Sequence, residues 1–153
     1  MKFIVNQIYS SKDIQTSFGG NYQACLPMTD GCVNVGRFHK NLNPNFPNEA
    51  WIEVGTIREK SARLVFAMQK PIPLFEKYGT GKWKFLGTFK ATKLHDSKSN
   101  PQKLASLNQN FPRDPVAIVL EFTQIYINKD ALGYSFEQHS NAPVQHFIKQ
   151  KAS

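Results

Sequence analysis

Apolar and polar positions alternate most regularly between Lys70 and Leu94, KPIPLFEKYGTGKWKFLGTFKATKL. A short apolar arm (Ile72, Leu74, Phe75) meets a turn rich in glycine and lysine, Lys77 to Lys82. The second arm then sets Trp83, Phe85, Phe89 and Ala91 against Lys82, Lys84, Lys90 and Thr92. Period-two alternation of this kind predicts a β-hairpin with one face toward a core and the other, cationic, toward solvent. Gly79 and Gly81 admit the positive-φ conformations of a tight reversal. Gly87 breaks the alternation and marks a bulge or a close approach of another backbone.

Outside the hairpin the pattern is shorter-ranged. Phe3 to Tyr9 reads as a strand. Ser10-Ser11-Lys12-Asp13 then supplies an N-cap and an acidic first turn for a brief helix that Gly19-Gly20 stops. Asn21 to Leu26 and Cys32 to Phe38 read as two strands joined by the turn Pro27 to Gly31. Lys40 to Glu49, with two prolines and four asparagines, is a polar loop. Trp51 to Ile57 alternates as a strand should, while Ala62 to Met68 fits a strand or a helical turn equally. His95 to Arg113 is a long polar excursion with at most a short helix at Gln102 to Leu107. Pro115 to Tyr126 (PVAIVLEFTQIY) is the strongest strand signal and the expected closing strand. The sum predicts an α+β, mainly β fold, a curved barrel with few helices. Residues 1–127 form its domain and 128–153 a C-terminal extension or the start of a linker.

Charge adds a partner class. Among 153 residues, 19 Lys+Arg stand against 11 Asp+Glu, a net +8, which makes nucleic acid the first partner to consider. Fifteen of the nineteen cations are lysine, a type suited to loose phosphate contact more than to bidentate base reading. No apolar run approaches membrane-spanning length, and Met1 to Tyr9 is too short and mixed for a signal peptide, so a cytoplasmic protein without membrane contact is expected. Cys25 and Cys32 read as core thiols, because no further Cys or Cys/His cluster completes a zinc site.

Catalytic chemistry is hard to assemble. The chain has no GxSxG elbow, P-loop or HExxH, and its histidines (His39, His95, His139, His146) stand apart without metal spacing. A binding module with no metal and no cofactor is therefore expected, not an enzyme. Tyr22, Phe38, Phe46 and Trp51 lie in or beside loops where a base could stack, although Phe38 and Trp51 also suit a core. Phe46, between Pro44 and Pro47, is the least core-like of them. Asn41, Asn43, Asn45 and Asn48 could reach a base edge or simply build turns.

Two segments carry a family resemblance. Val5 to Leu26, VNQIYSSKDIQTSFGGNYQACL, with its Tyr, short helix, Phe-Gly-Gly and Gln, resembles the opening of the bacterial SRA/YDG-like domain. Ile72 to Asp96 resembles a later segment of the same domain, an apolar Leu-Phe arm followed by an aromatic-rich arm with an internal glycine. That family, part of the PUA-like superfamily, forms the N-terminal domain of McrA-like, HNH-type, modification-dependent restriction endonucleases. The resemblance implies a curved β-barrel that grips duplex DNA and flips a modified base, a 5-substituted cytosine, into a pocket. The corresponding pocket region here is Asn45 to Gly55. Gly55 is kept, Glu53-Val54 replaces the family's Tyr-Thr pair, and Thr56 to Lys60 replaces its Gly-Glu-Gly-Gln run. With the loop aromatics, the expected pocket comprises Tyr22, Phe38, Phe46, Asn48, Glu49, Trp51 and Glu53, the resemblance putting Phe46 in stacking and Asn48 or Glu49 on the base edge. The expected phosphate contacts are Lys82, Lys84, Lys90, Lys93, Lys98 and Lys103, with Arg37 and Lys40 near the pocket. The expectation is thus the specificity domain of a restriction system, cut from or working beside a nuclease. The rivals are a PUA-like RNA-binding module, a nuclease in its own right, and a basic protein-interaction domain.

Overall fold

Ser10 organises the first element. Its hydroxyl accepts the Asp13 amide at 3.0 Å while Asp13 Oδ2 accepts the Ser10 amide at 3.2 Å, a reciprocal pair that satisfies two donors at a helix start. Strand β1 (Ile8–Ser10) therefore runs straight into helix α1 (Ser11–Phe18), which Gly19 ends at φ 74°. The structure, a computed structural model, describes residues 2–21, 23–110 and 114–126. Tyr22, His139, His146 and the expected extension 128–153 lie outside the described residues. Strands β2 (Met28–Thr29) and β3 (Cys32–Val33) form a small hairpin whose turn holds Asp30 and Gly31 at φ 52° and 76°. The chain continues through β4 (Gly36–Phe38), β5 (Glu49–Glu53), α2 (Thr56–Met68), β6 (Ile72–Gly79), β7 (Lys82–His95), α3 (Pro101–Asn110) and β8 (Val116–Gln124).

Several expected bounds move. The first strand begins only at Ile8, because Phe3 turns into the core, fully buried and ringed by Tyr9, Phe18, Phe75 and Phe85. Of the stretch expected as a strand at 21–26, residues 23–26 are turns and bends instead, and the Cys25 carbonyl takes the Arg37 amide at 2.8 Å. Strand β5 stops at Glu53, and Thr56-Ile57, expected in that strand, open α2. Glu59 decides this by reaching back to accept the Gly55 amide at 3.0 Å. The segment at 62–68 is therefore helix, and it ends where Gln69 turns left-handed and its side chain donates to Phe66 O and Ala91 O. Proline at its first position opens α3, with the Asn100 side chain accepting the Lys103 amide.

The sheet is mixed and six-stranded, in the order β4-β6-β7-β8-β5 with β1 also on β7; β4 runs parallel to β6 and the other pairs are antiparallel. The fold is thus α+β, mainly β, as expected. The two end strands β4 and β5 do not pair with each other, so no closed barrel forms among the described residues.

Gly87 does what its place in the pattern suggested. Leu74 pairs with Gly87 and Phe75 with Phe85, which leaves Leu86 as an extra residue in β7, and Gly87 sits at φ 115°. An inserted residue reverses the parity of a strand. Before it, Trp83 and Phe85 join Phe75 in a core under α1; after it, Phe89 and Ala91 join Ile72 and Leu74 in the larger core under α2. A third cluster lies under α3, where Leu104 and Leu107 meet Trp51, Val116 and Val119. The Asn108 side chain secures this cluster, exchanging two hydrogen bonds with the Val116 backbone at 3.0 and 2.7 Å.

Candidate ligand cavity at the β4 edge

The loop after β4 decides the fate of the expected stacking residue. Asn43 is buried and bonded at both ends of its amide: Nδ2 donates to His39 O at 3.1 Å, and Oδ1 accepts the Trp51 amide at 2.7 Å. Lys40 Nζ donates to Phe46 O at 2.9 Å. These bonds draw the loop inward, so Phe46 is 1 % exposed and its ring lies 4.9 Å from that of Phe38. Phe46 is therefore core, not a stacking surface.

Its neighbours are occupied too. Glu49 accepts from Lys103 Nζ at 2.9 Å and from Trp51 Nε1 at 3.2 Å. Burial pushes the Glu49 carboxyl up, but the bonds from Lys103, Trp51 and Asn45 outweigh it and leave the pKa below the usual value. Asn48 is exposed, and its backbone oxygen holds the Phe122 amide. Phe46, Asn48 and Glu49 border only a shallow depression on the outside of the loop.

The larger concavity lies beside them at the outer edge of β4, a cavity of about 630 Å³ between Asn21, the turns at 23–26, the loop after β4, the end of β5 and the start of α2. Three expected pocket residues, Phe38, Trp51 and Glu53, line it. Phe38 and Trp51 show only small edges there, since they are 2 % and 5 % exposed. Leu42 and Ile57 also line it, and with Val54 they are among the few large apolar side chains left exposed.

The wall is electrically mixed. Arg37, expected to meet phosphate at the surface, is buried in it: Nη2 donates to Asn21 O at 3.2 Å and Ala24 O at 3.1 Å, and the guanidinium carbon lies 5.4 Å from the Trp83 ring centroid. Arg58 folds back at the mouth, its Nη1 donating to Val54 O at 3.0 Å. Burial lowers the pKa of His39, and the Lys77 ammonium lowers it further, so its ring is neutral at pH 7. Burial pushes the Cys25 thiol up to about 11, which makes it a poor nucleophile. From the sequence, Arg58 and Lys77 do not stand out, and His39 reads only as a histidine without metal spacing. The one available signal was the run Arg37-Phe38-His39 itself, which places a cation and an imidazole on either side of an aromatic.

The lysines do not form one row. Trp83 and Phe85 face the α1 core, so Lys82 and Lys84 project to the α2 side; beyond the bulge Phe89 and Ala91 face the α2 core, so Lys90 projects to the α1 side. Lys84 shares a cross-strand row with Glu76 and Phe38, two strand spacings from the cavity wall. Lys103 is committed to Glu49, while Lys93 and Lys98 are exposed.

No group of three or more potential metal-ligating side chains occurs among the described residues, and no described helix is long and apolar enough to cross a membrane. His95 does not pair with Asp96 but with Glu121, Nε2 to Oε2 2.6 Å. Comparison of the chain with protein-family models, with curated proteins and with solved structures gives no match to any of them.

Proposed function

We propose that this chain is a DNA-reading module of the SRA-like, PUA-related type, which takes one modified base of a duplex out of the stack and into the cavity at the β4 edge. The observation that carries the reading is the cavity itself: about 630 Å³, open at a sheet edge, with aromatic edges, a carboxylate and cations in one wall. An extruded base needs a slot of this kind, with apolar contact for its faces and hydrogen-bonding groups for its edge, to offset the cost of unstacking. Phe38 and Trp51 supply apolar edges, Glu53 an acceptor for an exocyclic amine, and the exposed Leu42 and Ile57 an apolar lip. Lys82 and Lys84 give the adjoining face positive charge for the phosphates, with Lys40 beside the loop.

The resemblance of the Val5–Leu26 and Ile72–Asp96 segments to the SRA/YDG-like domain supports the same reading, and with it a curved barrel serving as the specificity domain of a restriction system beside a nuclease. The base read is a cytosine substituted at its fifth carbon.

A titration at fixed salt tests this, comparing matched duplexes with plain, methylated, hydroxymethylated, glucosylated and carboxylated cytosine and one RNA control. A preference of about tenfold or more for one modified duplex, about 1.4 kcal/mol, is expected. Equal binding to every duplex, or tighter binding to RNA, would overturn it.

A further inference from the structure

Arg37 is 3 % exposed, yet it forms no ion pair with any carboxylate among the described residues. Two backbone carbonyls take Nη2 and Trp83 covers one face, but Nε and Nη1 have no hydrogen-bond partner among the described residues. A buried guanidinium with idle donors costs stability, because its hydration is lost without full replacement. It is the kind of exception that calls for a missing partner.

A second feature faces the same cavity. Helix α2 starts on Gly55 with no side chain capping its first turn, and Gly55, Thr56, Ile57 and Arg58 all line the cavity. The leading amides of a helix have no intrahelical acceptor and carry the positive end of its dipole. Gly55 also leaves room for Arg58 to fold over this end, since a Cβ there would lie 2.7 Å from Arg58 Nη1. The one carboxylate among the lining residues is Glu53. Glu59, in the first turn, is held by the Gly55 amide.

We infer that the cavity holds an anionic group of its ligand, a phosphate or a carboxylate, between Arg37 and the start of α2, with Arg58 closing over it. This rests on the reading of the cavity as a nucleotide site. The anion has two possible sources, the phosphate of the extruded nucleotide or a carboxyl on the base itself. Nε and Nη1 are buried, in a residue that lines the cavity, so the guanidinium turns from the carbonyls of Asn21 and Ala24 toward the ligand as it binds.

The test is the thermal midpoint of the full chain at constant ionic strength with cytidine, cytidine 5′-monophosphate or 5-carboxycytidine. At ten times its dissociation constant an anionic probe should raise the midpoint by about 3–6 °C, whereas uncharged cytidine should not. Protection by the monophosphate assigns the anion to the backbone, and protection by 5-carboxycytidine alone assigns it to the base. Arg37→Met should abolish the response while melting no lower than the parent in probe-free buffer, as expected of a cation kept for a ligand. Arg58→Gln, at an exposed position, should weaken the response several-fold and serves if Arg37→Met does not fold. The inference is overturned if neither anion protects more than cytidine, or if protection survives both substitutions. A modified duplex preferred without any anion response would remove the anion subsite and leave the reader; an anion response with all duplexes bound equally would do the reverse.

Discussion

The Trp51 amide donates to Asn43 Oδ1 at 2.7 Å, so a buried side chain eight residues away fixes the start of β5 against the loop. The same side chain donates to His39 O, which ties both ends of the loop to one residue. Asn43→Ala takes the side-chain acceptor from the buried Trp51 amide and one of two donors from the His39 carbonyl, which keeps the Leu42 amide. A loss of about 2–4 kcal/mol is expected, measured by urea denaturation. A loss under about 0.5 kcal/mol would show that the loop holds without this tie.

Phe46 gives the sharpest contrast between a stacking role and a packing role. Phe46→Ala removes a fully buried ring from the α2 core and should cost about 3–5 kcal/mol. Urea melts read this directly. Unchanged stability with weakened nucleic-acid binding would restore the ring to the surface role expected of it from its loop.

Asp96 makes stability fall in strong acid. The Ser99 amide, then Arg63, the Ser99 hydroxyl and the Lys98 amide hold its carboxyl at about 2, against an ordinary 3.8. A carboxyl depressed in the folded state contributes stability that is complete above its unfolded pKa and is lost as pH falls through the folded one. The parent should therefore lose stability relative to Asp96→Asn between about pH 4 and pH 2, and the two curves should meet below that window. Parallel curves across it would remove Asp96 from the acid limb.

The bulge at Leu86-Gly87 turns the expected lysine row into a two-sided test. Lys82 and Lys84 lie on the α2 side of the sheet, and Lys90 on the α1 side. Lys82→Ala with Lys84→Ala should lower duplex affinity and reduce the salt slope by about 2, while Lys90→Ala changes neither. Titrations at several salt concentrations distinguish the two, and a dominant loss at Lys90 would move the phosphate face to the other side of the sheet.

These particulars show which physical signals the chain carries locally. The hairpin, its bulge and α1 were legible because alternation, glycine and a Ser-to-Asp capping box act within a few residues. Helix α2 was not, since its start depends on Gly55 and a back-reaching Glu59, and its apolar positions, Ala62 and the continuous run 64–68, suit either period. Phe46 escaped because two prolines and four asparagines describe a surface loop, while the bonds that pull it inward come from Asn43 and Lys40. The region 45–55 was marked as the pocket, yet only Trp51, Glu53 and Gly55 from it line the cavity. Arg37 was placed near the pocket, but burial beside Asn21 and the turns at 23–26 takes it from the surface into the wall.

Strand β7 pairs along its fourteen residues with β6, β1 and β8, and its two halves serve opposite cores. Neither core can therefore open without releasing the strand that the other needs. The sheet should exchange its amide hydrogens as a single cooperative unit, with Phe85 and Phe89 showing the same opening free energy although they belong to different cores. The hairpin at 72–95 cannot be trimmed at either end without losing both, and folding must wait for strands distant in sequence to meet on it.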